Sequence, residues 1–196
     1  MLEDGYNEVP AGKIAAVVTS LHMLSRPEPC PEPAVVTWQL TYCPHPDPLW
    51  YRELFRRVGE EWLWFSRLRM PLDELIAVIH HADVDVYAVT LEGRDEGLLE
   101  LDFRTPGCCE LAFFGLTAAL RGAGAGRWLM NRATEAAWAR PIERLWVHTC
   151  TLDHPAALPF YRRAGFVPVS RQVEVADDPR VLGVFARDAA PQIPIL

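Results

Sequence analysis

The chain has 196 residues, half of them hydrophobic and 23% charged, with a formal net charge of −7. That length suits one domain of roughly 100–200 residues, and the composition excludes a disordered tail, a collagen-like rod and a disulfide-dense mini-protein. The acidic balance speaks against general nucleic-acid binding, which calls for a basic surface, although a local nest of amides and arginines can still hold an anion. The five cysteines are odd in number, two are adjacent (Cys108, Cys109) and none forms a C-x-x-C pair. They read as reduced thiols. Met1-Leu2-Glu3-Asp4 carries no basic leader, and the apolar run Ile14 to Leu24 is too short to span a bilayer and is broken by Thr19, Ser20 and His22. The expectation is a soluble, cytoplasmic chain with no membrane partner.

In chain order, Ile14 to Met23 reads as a first strand. A Pro-rich loop at about 27–48 follows, with an extended piece at Val35 to Leu40. The 17 prolines of the chain exceed the roughly ten that average usage gives. Asp47-Pro48 is an N-cap followed by proline at the first helical position, and Gly59 is a stop. Leu49, Leu54, Phe55 and Val58 make the apolar stripe between them. A second helix runs from Pro71 to about His81. The period then changes from 3.6 to 2: Val84 to Leu91, then Leu99, Leu101 and Phe103 alternating with Glu100 and Asp102 on a wet face, then Glu110 to Leu116. Short turns at Gly93-Arg94-Asp95 and Thr105-Pro106-Gly107 make these strands an antiparallel meander. A helix from about Gly122 to Ala139 buries Ala125, Leu129, Ala133 and Ala137, and Pro141 ends it. Leu145 to Cys150 is a strand and Pro155 to Gly165 a helix. Phe166 to Val175 and Val181 to Arg187 close the chain as a hairpin. Together these make a mixed-sheet α/β domain with no internal repeat.

Chemistry concentrates in Phe114-Gly115-Leu116-Thr117-Ala118-Ala119-Leu120-Arg121-Gly122-Ala123-Gly124-Ala125-Gly126-Arg127. Three alternate glycines stand between a strand and a helix start. Glycine lets the backbone approach a ligand closely, and the first helical turn offers unpaired N–H groups and partial positive charge to a phosphate. Arg121 and Arg127 flank the loop and can add charge-assisted contacts. A dinucleotide fingerprint needs G-x-G-x-x-G, but its third glycine position falls on Arg127 or Leu129. A Walker A loop needs Gly-Lys-Ser/Thr, whereas Gly126 is followed by Arg127-Trp128. The run fits R-x-x-G-x-G.

That pattern resembles the pyrophosphate loop of the GNAT N-acetyltransferase superfamily. A second stretch, His154-Pro155-Ala156-Ala157-Leu158-Pro159-Phe160-Tyr161-Arg162-Arg163-Ala164-Gly165-Phe166, resembles its N-x-x-A-x-x-F-Y-x-x-x-G-F, with His154 where the family often has Asn. The two motifs are in the family's order, with a helix and a strand between them. The resemblance covers about Val84 to Arg187 by motif and Ile14 to His81 by element order. It implies a single domain over 1–196 of the α/β (α+β) class. A GNAT-like mixed, mostly antiparallel central sheet of six to seven strands would be flanked by about four helices. It also implies acetyl-CoA as cofactor, held by Arg121, Gly122, Ala123, Gly124, Ala125, Gly126 and Arg127 at the pyrophosphate, with His154 and Ala157 near it. The backbone amide of Phe114 would bind the acetyl carbonyl beside a strand bulge, and Leu116 would hold the pantetheine arm.

In this reading the transfer is direct attack by a primary amine of a small-molecule or peptide acceptor. Tyr161 is the candidate general acid, because a phenol with pKa near 10 stays protonated at neutral pH and can donate to a thiolate. Glu110, four residues before Phe114, is the candidate base, and two strand repeats put it on the same face as Phe114. Glu100 on the neighbouring strand and a water relay are the alternatives. Trp62 and Trp64, in the Arg- and aromatic-rich stretch from Gly59 to Met70, border the acceptor pocket or pack the core. Interleaving of that kind also occurs on single-strand nucleic-acid surfaces, but net charge opposes it here. His80-His81, Cys43-x-His45 and His148 with His154 lack metal-ligand spacing. Cys150 reads as a buried strand residue without the partners of a nucleophile. Two other functions fit the same residues: a non-catalytic acyl-CoA-binding or regulatory module, and a nucleotide-dependent enzyme. The acceptor's identity and the choice between monomer and homodimer stay open.

Overall fold

The computed structural model describes residues 4–196, so the opening Met1-Leu2-Glu3 read above for a leader lies outside it. Seven strands form one sheet: β1 (Lys13–Met23), β2 (Trp38–Tyr42), β3 (Val84–Leu91), β4 (Arg94–Asp102), β5 (Cys108–Leu116), β6 (Arg144–Cys150) and β7 (Val167–Asp177), in spatial order β2-β3-β4-β5-β6-β1-β7. The helices are α1 (Pro48–Gly59), α2 (Ser66–Arg69), α3 (Leu72–Ile79), α4 (Ala125–Trp138) and α5 (Ala157–Arg163). Every neighbouring pair of strands is antiparallel except β5 and β6. A parallel pair needs a long crossover, and α4 supplies it.

The meander β3–β4–β5 follows from its turns. Glu92 and Gly93 both have positive φ (51° and 79°), the conformation whose twist suits a two-residue hairpin, so β4 already begins at Arg94. α4 presents Ala125, Leu129, Ala133 and Ala137, all fully buried, to one face of the sheet, where Leu99, Leu101, Leu111, Leu145 and Val147 complete the main core. Three alanines in that seam let the helix axis lie close to the strands. On the opposite face α1 and α3 bury Tyr51, Leu54, Phe55, Leu75 and Ile79 against Val84, Val86 and Leu98. The Asp47 side chain caps α1 by accepting from the amides of Leu49 (2.8 Å) and Trp50 (3.0 Å).

Several sequence expectations are corrected. Leu49 does not join the α1 stripe but is 66% exposed, and Tyr51 takes the buried place. The extended piece expected at Val35 to Leu40 is β2, shifted to Trp38–Tyr42 because that stretch pairs with the β3 edge. Glu100 and Asp102 do not form a wet face. α1 and α2 cover it, and the buried Glu100 carboxylate is met by the Tyr51 hydroxyl and the Arg67 guanidinium. The long central helix starts at Ala125, with residues 121–124 in turns ahead of it. The stretch from Gly59 to Met70 holds a 3-10 turn (Glu60–Trp62) and the short α2, which no period of its own announced.

The final hairpin does not form. β7 pairs with β1 as the edge of the sheet, and Val181 to Arg187 has no strand partner. The terminal segment is organised instead by Arg180. Its guanidinium forms a two-pronged pair with Asp178 and donates to the carbonyls of Ala189, Ala190 and Ile193. It thereby seats Phe185 and Ala190 against Ile14 and Leu63. Arg180 lowers the Asp178 carboxyl below its ordinary range, so this pair stabilises above that range and is lost as pH falls through the depressed value. Arg180→Met strands a buried carboxylate and three carbonyls. It is expected to cost about 3–5 kcal/mol, read as a lower denaturant midpoint with the slope unchanged.

Candidate active site

β5 and β6 pair only at Cys108↔Arg144, Cys109↔Leu145 and Glu110↔Trp146, after which the strands separate. The open side of β5 beyond Glu110 therefore has no strand beside it. Its other side stays on β4, with a register shift that leaves Ala112 unpaired between Leu101↔Leu111 and Glu100↔Phe113. That extra residue is a β-bulge. Past the bulge, Thr117 N–H bonds the Glu96 carbonyl at 2.9 Å. Antiparallel ladders alternate the direction of their amides, so Phe113, Gly115 and Thr117 point at β4 while the amides of Phe114 and Leu116 point into the gap.

At the far end of the gap lies the glycine loop. Gly122 and Gly124 both take positive φ (82° and 86°). Among the described residues no main-chain or side-chain acceptor meets the six consecutive amides from Gly122 to Arg127. Ala125 is buried beneath them and anchors the helix start to the core. A Cβ at Gly122 would meet nothing within 4 Å, whereas one at Gly124 would meet Pro33 Cγ at 2.7 Å. Pro33 belongs to the Pro-rich loop, which Asn131 of α4 clamps by exchanging two hydrogen bonds with the backbone of Cys30 (2.9 and 2.8 Å).

Between loop and strands opens a cavity of about 480 Å³, bordered by Phe114, Leu116, Gly122, Gly126, Ala157 and Tyr161. Tyr161 of α5 packs edge-on against Phe114 (6.3 Å between ring centres) and Phe166 (5.9 Å). Burial, then the negative charge of Asp153, push its phenol well above the ordinary value, so it holds its proton at neutral pH. Asp153, which sequence reading passed over, forms the hinge of the site. Its carboxylate accepts from Trp64 Nε1 (3.2 Å), Thr149 Oγ1 (2.7 Å) and the Cys150 amide (2.8 Å). Trp64 thus does two things at once: it packs against Phe55 and Phe113 in the core and walls the cavity. Trp62 also borders the cavity and lies edge-on to His154 at 5.1 Å. His154 Nδ1 accepts from the Ala156 amide, capping the turn that enters α5.

Three candidate residues stand elsewhere than expected. Glu110 is on the opposite face of β5 from Phe114, because the Ala112 bulge reverses the alternation. Leu111 and Phe114 face the α4 core, while Glu110 faces the other way with Phe113. There Glu110 Oε1 lies 3.4 Å from His148 Nδ1. Glu100 is fully buried behind Arg67 and Tyr51 and does not border the cavity. Cys150 does border it, with its thiol pushed up to about 11 by burial and Asp153, so no thiolate forms near neutrality. Arg121 reaches away from its loop to Glu61 Oε2 (2.5 Å), over the Trp62 ring, and Arg127 is exposed beside Gly124. Glu61, Asp153 and Glu174 carry no motif that flags them. His148 was visible only as an unspaced histidine.

The site is thus a parallel strand pair that parts beside free amides, with an uncapped glycine loop at one end of the gap. The chain matches the acetyltransferase (GNAT) family over residues 33–166, and it belongs to that family. No curated protein matches it. Among solved structures it is similar to a GCN5-related N-acetyltransferase from Sphaerobacter thermophilus, with 14% identity and a TM-score of 0.60 over 88% of this chain and 53% of that one. It is also similar to a putative GNAT-family acetyltransferase from Novosphingobium aromaticivorans DSM 12444, with 16% identity and a TM-score of 0.58 over 86% and 68%. A functionally unknown conserved protein from Staphylococcus epidermidis ATCC 12228 shares 12% identity and a TM-score of 0.59 over 85% and 63%. The chain thus spans under two thirds of the length of the first and third of these, and such identities speak to the fold. Among the described residues no helix is long and apolar enough to cross a membrane.

Two substitutions probe the loop. Gly124→Ala combines a positive-φ penalty with a clash on Pro33 and is expected to weaken coenzyme A binding at least tenfold in calorimetry. Glu61→Gln frees Arg121 and is expected to tighten it roughly two- to fivefold, the scale of an exposed ion pair.

Proposed function

We propose that the protein transfers the acetyl group of acetyl-CoA to a primary amine by direct attack. The observation that carries this reading is the single cavity in which the free amides of β5, the uncapped loop amides and the Tyr161 ring converge. Acetyl-CoA, when bound, supplies an activated acyl thioester and a diphosphate. The diphosphate suits the Gly122 to Arg127 amides together with the partial positive charge of the α4 start. Arg121, once released from Glu61, adds charge. The Leu116 amide is free to pair with the pantetheine arm as an added strand would, and Ala157 and His154 border the same path. The Phe114 amide is free to donate to the acetyl oxygen, where charge grows as the amine attacks.

Tyr161 supplies the proton to the departing sulfur. Its raised pKa keeps the phenol protonated across the physiological range, and its ring is locked among Phe114, Phe160 and Phe166. The cavity's acceptor side carries Asp153, Glu174 and the tryptophans Trp62 and Trp64, a lining that favours a cationic amine with apolar parts. One solved neighbour is an aminoglycoside acetyltransferase from an uncultured soil metagenomic sample in complex with sisomicin. It is 15% identical, with a TM-score of 0.52 over 65% of this chain and 87% of that one, and it supports polycationic amines as the first acceptors to screen.

Tyr161→Phe is expected to lower kcat about 10²-fold or more while the calorimetric Kd for acetyl-CoA stays within twofold. Binding without amine-dependent thiol release in the unaltered protein would instead favour a non-catalytic acyl-CoA-binding module.

A further inference from the structure

The face of the sheet opposite α4 and α5 gathers a charged group that the transfer reading leaves unused. His148 stands two residues past the last β5–β6 pair, at the mouth of the gap, with its ring beside Trp146 (6.0 Å between centres). Its Nδ1 lies 3.4 Å from Glu110 Oε1, and the imidazole borders the cavity. The pairing Glu110↔Trp146 sets Glu110 on the face of the sheet that carries His148, and the bulge at Ala112 sends Phe114 to the other face. With Nδ1 directed at a carboxylate, Nε2 is the ring nitrogen left for another partner. An imidazole oriented by an acid in this way is the arrangement that serves general bases.

We propose that His148, oriented by Glu110, is the base that takes the proton from the acceptor amine. The inference rests on the acetyl-transfer reading above and moves the base from Glu110, now a positioning residue, to its neighbour. The amine nitrogen forms a bond to the carbonyl carbon as the carbon–sulfur bond breaks with its electron pair on sulfur. The nitrogen's proton passes to His148 Nε2 and the Tyr161 hydroxyl proton to sulfur. Exchange with water then returns His148 and Tyr161 to their starting states, so the sum is amide plus free thiol. The two groups approach from opposite faces of the sheet, Tyr161 from the α5 side and His148 from the acceptor side, so neither needs to cross the gap.

The charges around His148 favour this role. From β5 comes Glu110, from the turn after β6 Asp153, and from β7 Glu174. Cys150 on its own strand and His154, Tyr161 and Arg163 on the α5 side share the cavity. The Glu110 carboxylate beside Nδ1 leads the effects that hold the imidazole above its ordinary value. Burial opposes it, and Glu110, Asp153 and Glu174 add their charges. A raised value makes a stronger base, and the neutral form that accepts a proton appears as pH rises through that value.

The test joins kinetics to a reading that needs no turnover. In the unaltered protein kcat/KM with an amine acceptor should rise with pH along a limb set by His148. His148→Gln and, as a second variant, His148→Asn should lower kcat about 10²-fold and abolish that limb, with acetyl-CoA Kd within twofold showing that the fold is intact. Glu110→Gln should move the limb to lower pH. The His148 ring resonance, assigned in NMR by its loss in His148→Gln, should titrate at correspondingly lower pH in Glu110→Gln without any ligand. Unchanged kcat and pH profile in both His148 variants overturn the base assignment while leaving the transfer reading in place. Acetyl-CoA binding with no turnover of any amine in the unaltered protein overturns both.

Discussion

The parting of β5 from β6 after Glu110↔Trp146 is the constraint on which the rest depends. Two parallel strands that stayed paired would satisfy each other's amides and leave no gap. By separating, they expose the open side of β5 and create a cavity bordered by the sheet, by the start of α4 and by α5. The separation persists because each strand is held from its far side. β4 grips β5 on one flank and β1 grips β6 on the other. α4 bridges the two below, its alanine seam packed on both.

Three irregular segments finish the site, and each is tied down by a specific polar contact. The Pro-rich loop is clipped to α4 by Asn131 and lays Pro33 on Gly124, which explains why that glycine admits no side chain. The stretch from Gly59 to Met70 is tied to the cavity by Trp64 bonding Asp153, and to the glycine loop by Glu61 pairing with Arg121. The chain end folds back through Arg180, and Gln192 reaches the Glu61 carbonyl. A side chain that is silent in any motif, Asp153, joins β6, the approach to α5 and the Trp64 wall of the cavity.

Legibility in the sequence follows locality. The meander, the crossover helix and the glycine loop were readable because a turn, a helical period and a run of small residues are properties of neighbouring residues. The final hairpin was misread because Val181 to Arg187 carries strand-like residues, yet the buried Asp178–Arg180 pair claims the backbone around it. Glu100 read as solvated because its strand alternates, and the helices that cover it lie more than thirty residues away. Short α2 has too few residues to show a period.

Alone, the order of residues determined the class of fold, the position of the glycine loop and the tyrosine of α5. Each is written in contiguous chemistry: apolar periodicity, glycine where φ must be positive, an aromatic pair before a closing glycine. Tertiary structure alone decided which face Glu110 occupies, because one unpaired residue at Ala112 reverses every side chain before it relative to those after. It alone decided that Glu110 would meet His148, since their approach depends on the register between β5 and β6, which no local signal encodes.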